Sequence, residues 1–319
     1  MSHTAVSDSL APDDEPLVLK VPPEAAADRL DKVLAGLLPG HSRSRLQGWI
    51  ADGHVQVNGR AAKARQPVGP GDVVTVWEQP APEELAFEPE PVDFEVVADS
   101  AEWIVVNKPV GLVTHPGAGN WSGTLLNGLL YRYPELRHVA RAGIVHRLDK
   151  DTSGLLVVAR TERAQTHLVR QLQARTMGRE YLALVHGWLD DDGTVDRPIG
   201  RDPRVPVRMA ADHPIAARPA VTHYAPLRKG AAGTLPVTEV ACRLETGRTH
   251  QIRVHLSWLG HPLLGDTLYG GRALAGAARQ MLHARVLHFD DPGGAGRVMF
   301  ESAVPADMRA VQEGIAWDT

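Results

Sequence analysis

The string Gly143-Ile-Val-His-Arg-Leu-Asp149-Lys-Asp-Thr-Ser-Gly154 gathers polar and ionisable side chains between apolar segments, the setting in which loops display reactive groups. Asp149 follows Arg147 by two residues and precedes Lys150, so cationic neighbours favour an ionised carboxylate able to act as nucleophile or general base. A turn aspartate that caps backbone amides is the plainer reading of the same residue. A second string is Glu245-Thr-Gly-Arg-Thr-His-Gln-Ile-Arg253-Val-His255. If Thr249 caps a helix here, His250 and Arg253 share a face at a spacing of three, beside free amides that attract anions. A phosphate or carboxylate partner is then expected; the alternative is a surface helix whose arginine pairs with a nearby acid. Tyr181, after Arg179 and Glu180, reads by itself as an ordinary strand aromatic.

Other chemistries find less support. His250, His255, His261, Asp266 and His283 lie near one another in sequence, but no His-x-x-x-His pair stands beside a glutamate and no cysteine pair exists, which argues against zinc. There is no Gly-x-Ser-x-Gly elbow and no Walker-type phosphate loop. Gly117-Ala-Gly-Asn-Trp-Ser-Gly123 misses the dinucleotide fingerprint by one residue and reads as a turn. No metal and no nucleotide or redox cofactor is expected.

The elements that must position these residues follow from periodicity. Leu30, Val33, Leu34, Leu37 and Leu38 recur at helical spacing until Pro39-Gly40, and Ser42 caps a second helix that buries Leu46, Trp49 and Ile50. Val55 and Val57, an Asn58-Gly59 hairpin signal and Val73, Val74 and Val76 complete a small α+β unit. From Val76 to Glu102 there are nine acidic residues, no basic ones and prolines at 80, 82, 89 and 91, the pattern of a solvated linker. Beyond it, strands are predicted at 103–106, 154–158, 181–185, 237–244 and 282–289, with one helix capped by Thr161 and another by Thr249. The irregular mixture predicts an α+β domain with a mixed or antiparallel sheet. The expected division is a disordered tail over 1–16, a small domain over 17–78, a linker over 79–95 and a second domain over 96–319.

At 319 residues with 43% hydrophobic side chains, the chain is long enough for sizeable cores. Its one cysteine, Cys242, allows no intrachain disulfide, and no apolar run approaches the ~18 residues of a membrane span. A cytoplasmic protein without a membrane partner is expected. The net charge of -4 speaks against nucleic acid until it is divided by segment. Residues 41–65 carry Arg43, Arg45, Arg60, Lys63 and Arg65 against Asp52 alone, and residues 141–180 carry eight basic side chains against four acidic ones. Such local surpluses suit phosphate-backbone binding, although solvated arginines on a helix face give the same count.

Together these strings resemble the family of large ribosomal-RNA pseudouridine synthases. The resemblance runs from Asn107-Lys-Pro-Val-Gly-Leu-Val-Thr-His-Pro-Gly117 through His146-Arg-Leu-Asp-Lys-Asp-Thr-Ser-Gly-Leu-Leu156 and Arg179-Glu-Tyr181, then through the 245–255 string to His261-Pro-Leu-Leu-Gly-Asp266 and Leu282-His-Ala284. Residues 28–76 are similar to the RNA-binding domain first recognised in ribosomal protein four of the small subunit. The resemblance implies that Asp149 is the catalytic aspartate, that Tyr181 stacks beneath the target uracil, and that Arg253 is the basic partner of the aspartate. By the same resemblance Arg147 is expected to fill the gap left by a flipped nucleotide, and His146, Thr249, His250, Gln251, Arg43, Arg45 and Lys63 are expected to contact RNA. It further implies isomerisation of uridine without a cofactor, on large-subunit ribosomal RNA or a pre-ribosomal particle, in the branch that acts on the helix 69 stem-loop near the decoding region. A related synthase for other ribosomal or transfer-RNA sites, or a non-catalytic ribosome-assembly protein, would carry many of the same features.

Overall fold

A computed structural model of the chain describes residues 16–79, 84–117 and 119–318. The tail expected over 1–16 therefore lies, Pro16 apart, outside the described residues. Two compact units emerge, Met1–Ala81 and Pro82–Thr319.

In the first unit the local signals act as their chemistry dictates. The Ser42 hydroxyl accepts from the Arg45 amide at 3.3 Å and opens helix α2 (Arg43–Ala51), which packs on helix α1 (Leu30–Leu37). Asn58 and Gly59 both take positive φ, 51° and 71°, as a two-residue hairpin turn requires. They join the strands Val55–Val57 and Arg60–Ala61 in an antiparallel sheet whose order continues through Val73–Val76 to Leu17–Lys20. The last of these strands is mostly exposed, and its Leu17, Val18 and Leu19 are apolar in succession, so it shows no two-residue alternation. Leu30, Leu34, Leu46, Trp49, Ile50 and the inward valines form the core.

The second unit is a mixed sheet. Its order is Gly193–Asp196, Val221–Ala232, Leu235–Leu244, Gly178–His186, Leu282–Asp290, Ser153–Ala159, Trp103–Lys108 and Glu95–Asp99. All neighbours on this path are antiparallel except Leu282–Asp290 with Ser153–Ala159. The two-residue alternation of side chains gives the sheet two buried faces. Ile104, Val106, Leu156, Val158 and Ala183 pack toward helices α3 (Leu125–Arg132) and α5 (Gln251–Trp258). Trp103, Val105, Leu155 and Val157 pack toward α4 (Glu162–Gln173), whereas Leu182 and Leu184 meet α6 (Ala306–Glu313). The α+β expectation therefore holds, and Thr161 caps α4 by accepting from the Ala164 amide.

The acidic stretch departs from the solvated-linker expectation. Asn127 of α3 donates from its side-chain nitrogen to the carbonyls of Leu85, Ala86 and Glu88 at 2.8–3.4 Å, docking a short 3-10 turn, Glu84–Phe87. Val92 and Phe94 then pack against the core, so close to Gly128 that an added Cβ would lie 2.8 Å from Val92. Glu88, Asp93 and Glu95 are exposed while backbone carbonyls of the same stretch are bound, a separation composition cannot show.

Candidate active site

The Gly143–Gly154 string is pinned at both ends where strands meet. Gly154 has φ +113° and a Cβ there would come 2.1 Å from the Ala284 carbonyl oxygen, so only glycine permits the parallel pairing at the start of Ser153–Ala159. Between the ends, the backbone flanking Asp149 is clamped on both sides. Thr114 donates its hydroxyl to the Leu148 carbonyl at 2.7 Å; Lys108 and the Gly111 amide donate to the Lys150 carbonyl at 2.9 and 3.0 Å. The fully buried Lys108 ammonium also donates to the carbonyls of Pro109 and Leu112, so its three N–H groups meet three acceptors, a match only the charged form provides. Burial nonetheless pushes its pKa down to about 7, against the pull of Asp149 and Asp151.

The Asp149 carboxylate points at α5. Arg253 donates from Nη1 to Asp149 Oδ2 at 3.1 Å, and His250 Nε2 lies 3.9 Å from the same oxygen. The other side of the guanidinium is held by Asp266, which accepts from Nε at 2.7 Å and from Nη2 at 2.9 Å. Arg253 is 7% exposed and Asp266 2%, so this is a buried fork with excellent geometry, and the ring of Tyr269 lies 5.0 Å beneath the guanidinium carbon. Burial alone would lower the Arg253 pKa; hydrogen bonds and charge from Asp266 and Asp149 raise it instead, so the cation is secured.

Thr249 does not cap α5. His250 occupies that position in the left-handed region, φ 56°, and no side chain caps the helix. That turn leaves Thr249 exposed. Gln251 organises the turn instead: its Oε1 accepts from the Arg248 amide and the Thr246 hydroxyl, and its Nε2 donates to the Val221 carbonyl and to Thr222 Oγ1. His250, with Nδ1 2.7 Å from the Tyr269 hydroxyl, and Arg253 still reach the same carboxylate.

A cavity of about 990 Å³ opens above Asp149. Tyr181, Arg253, Arg147, His146, Thr249, His250 and Gln251 all line it. Tyr181 is 6% exposed and sits at a register shift against Leu282–Asp290, the kind of bulge that re-aims a strand side chain. Arg147 is exposed at the rim. His146 is held by the Val157 amide, which donates to its Nε2 at 3.2 Å; burial, with the Arg179 charge, drops its pKa to about 3, and burial with Arg147 and Arg141 drops that of His115 to about 4. Both rings are therefore neutral at pH 7.

Arg43, Arg45 and Lys63 belong to the first unit. Arg43 is committed to the fully buried Asp31, donating from Nη2 at 2.7 Å and Nε at 3.1 Å, and Arg45 donates to the Gln79 carbonyl at 2.7 Å while lying over Trp49. Burial tends to raise the Asp31 pKa, but hydrogen bonds from Arg43, Gln47 and Arg29 hold it well below the carboxylate range. Lys63 is exposed. Sequence reasoning overlooked Asp266 as the partner of Arg253 and Lys108 as the clamp. Both stand inside strings already singled out for resemblance, which was the available signal.

Among the described residues no group of three or more His, Cys, Asp or Glu is placed to hold a metal, and no helix is long and apolar enough to cross a membrane.

The site is thus a loop aspartate on a mixed sheet against a helix arginine, beneath a cavity walled by a strand tyrosine. Residues 102–258 match the family described as RNA pseudouridylate synthase, residues 28–74 match the S4 domain, and the chain belongs to the RNA pseudouridylate synthase family. It is an isomerase of RNA uridines with an S4-type RNA-binding domain. It is 48% identical over 301 residues to Ribosomal large subunit pseudouridine synthase D of Neisseria meningitidis serogroup B, across 91% of this chain and 79% of that one. The protein of the same name from Nitrosomonas europaea is 48% identical over 305 residues, 93% of this chain and 87% of the relative. Among solved structures, Human RNA Pseudouridylate Synthase Domain Containing 1 aligns with a TM-score of 0.56 and 29% identity, covering 76% of this chain and 92% of that one.

Proposed function

We propose that this chain converts uridines of large-subunit ribosomal RNA, in the helix 69 stem-loop, to pseudouridine, with Asp149 as its catalytic residue. The observation that carries the reading is the Asp149 carboxylate, held by a buried Arg253 that Asp266 locks in place, at the base of an open cavity. The ribosomal target rests on the relatives, which share 48% of their residues with this chain over more than nine-tenths of its length.

In this reading the uridine leaves its stack at a cost of a few kcal/mol, and Arg147, free at the rim, supplies a planar guanidinium to fill the gap. Tyr181 returns ~1–3 kcal/mol by stacking on the extruded base. Asp149 then reacts while the C1′–N1 glycosidic bond breaks and the ribose rejoins through C1′ at carbon five; carbon five gives up its proton and N1 takes one up, so the composition is unchanged. Arg253 is positioned to stabilise the carboxylate throughout. The exposed Lys63 of the first unit adds phosphate contacts, and the substrate in the cell is free large-subunit RNA or a pre-ribosomal particle in the cytoplasm.

Asp149→Asn is expected to fold and bind RNA normally but to form no pseudouridine; substantial residual turnover would overturn the assignment. Mapping carbodiimide-dependent primer-extension stops with and without this gene product identifies the target. Stops lost from other ribosomal or transfer RNA would replace the helix 69 target, and loss of none would favour a binding protein.

A further inference from the structure

Arg179 is a buried cation that the reaction just described does not use. It is 6% exposed, lies two residues before Tyr181 and lines the Asp149 cavity. Among the described residues no carboxylate pairs with it; its hydrogen bond is a long one, from Nη2 to the Glu245 main-chain carbonyl at 3.4 Å, and its buried Nε has no partner. The Glu245 carboxylate is occupied by Arg175 and by His223 Nε2. An unpaired guanidinium held out of water is costly, and burial indeed pulls its pKa below the ordinary arginine value. The chain also makes room for it: a Cβ at Gly247 would stand 2.7 Å from Arg179 Nη1.

A second orphan points the same way. The Val157 amide donates to His146 Nε2, so the neutral ring carries its proton on Nδ1, which is buried without an acceptor. Both groups line the cavity; Arg179 keeps its Nε–H and His146 its Nδ1–H without an acceptor, and one of the two groups is charged. Both atoms are buried, so an acceptor-only anion satisfies them once the side chains turn toward the cavity, and the RNA strand brings one such group with every nucleotide.

We propose that Arg179, with the His146 Nδ1–H, binds a phosphodiester next to the flipped uridine inside the Asp149 cavity. The contact forms only when the nucleotide has left its helix, so it contributes to the maximal rate rather than to initial RNA capture. This rests on the reading of Asp149 as the catalytic residue.

The test is single-turnover kinetics on a stem-loop that the wild type modifies, carrying one neutral methylphosphonate linkage either 5′ or 3′ of the target uridine. One of the two neutral linkages is expected to slow the wild type by about 10- to 100-fold, the value of a charge-assisted hydrogen bond. Arg179→Gln is expected to lose a similar factor on unmodified RNA, yet to lose less than about twofold further on the neutral linkage, because the two changes remove one contact. Arg179→Lys, which keeps the charge without the fork, recovers part of the rate. The proposal fails if neither linkage slows the wild type more than about threefold, a result independent of whether any variant folds, or if the two losses multiply. Asp149→Asn run in parallel keeps the two readings apart: turnover by that variant sinks the catalytic assignment whatever the phosphate data show.

Discussion

Replacing Asp266 by Asn separates what Arg253 does by charge from what it does by being held. The Arg253 fork meets both Asp266 oxygens, at 2.7 and 2.9 Å, with almost no solvent at either group. Asparagine retains one acceptor but presents an NH₂ donor to the other guanidinium N–H. One charge-assisted hydrogen bond, roughly 1.5–3 kcal/mol, is lost and a buried donor is left unmatched, so stability is expected to fall by about 2–4 kcal/mol. The remaining carboxylate partner of Arg253 is then Asp149, at 3.1 Å. The guanidinium is free to close onto it and drag the reactive oxygen from its station; a displacement near 1 Å costs about 100-fold in rate. The RNA affinity should hardly change, because Arg147 and the cavity mouth are untouched. Tritium release from RNA labelled at uracil carbon five follows the chemistry at saturating enzyme, and urea unfolding reports the stability. A variant with the expected loss of stability but a maximal rate within about threefold of wild type would refute the positioning argument, since the held geometry would then have no catalytic consequence.

Tyr181→Phe keeps the ring and is expected to retain most RNA affinity in the extruded state, whereas Tyr181→Leu forfeits ~1–3 kcal/mol of stacking, a loss visible in single-turnover rate. His283, 1% exposed with Nδ1 2.9 Å from the Ser153 hydroxyl, has its pKa pushed down to about 4 by burial. Its folded state resists a proton that the unfolded chain accepts near the ordinary value, so its contribution is intact at pH 7 and is lost as pH falls; between pH 7 and 5 the loss is about 2 kcal/mol. Urea midpoints across that range should show a shallower slope in His283→Asn, and an unchanged slope would remove His283 as the cause. Arg43→Glu sets a second carboxylate against the buried Asp31 and is expected to unfold the first unit, read by its thermal transition. Lys63→Glu, at an exposed side chain, should leave that transition alone while lowering the salt slope of RNA binding by about one to two.

Interactions closed within a few residues were legible from the chain order. Ser42 and Thr161 cap because each hydroxyl needs to reach an amide only three positions away. The core strands of the second unit were legible because both of their faces are buried, which leaves dense runs of apolar residues, whereas Leu17–Lys20 offers three apolar residues in a row, a run too short to mark a strand by itself. Thr249 shows where local logic fails: the same rule that placed Ser42 predicted it as a cap, but the left-handed turn at His250 starts α5 one residue later. Helix α3 went unrecognised because Gly128 interrupts it and Leu125 through Leu130 are buried as a nearly continuous run rather than as a one-sided stripe.

The chemistry of the site divides along the same line. Residue types and their spacing drew attention to the strings around Asp149 and Arg253, while Tyr181 read by itself as an ordinary strand aromatic; the resemblance to the family supplied the roles proposed for all three. What those groups meet was decided by the sheet. Asp149 and Arg253 are 104 residues apart, and Arg253 divides its donors between Asp149 and Asp266 only because α5 packs across strands that bring the two loops together. In the first unit the packing of α1 on α2 turned Arg43 from a free cation into the partner of Asp31, and in the second the sheet left Arg179 buried with no carboxylate partner among the described residues. Sequence by itself determined which side chains were available and which short-range bonds they could close; tertiary structure decided burial and long-range partners, and those set whether a charge is spent in the fold or kept for the substrate.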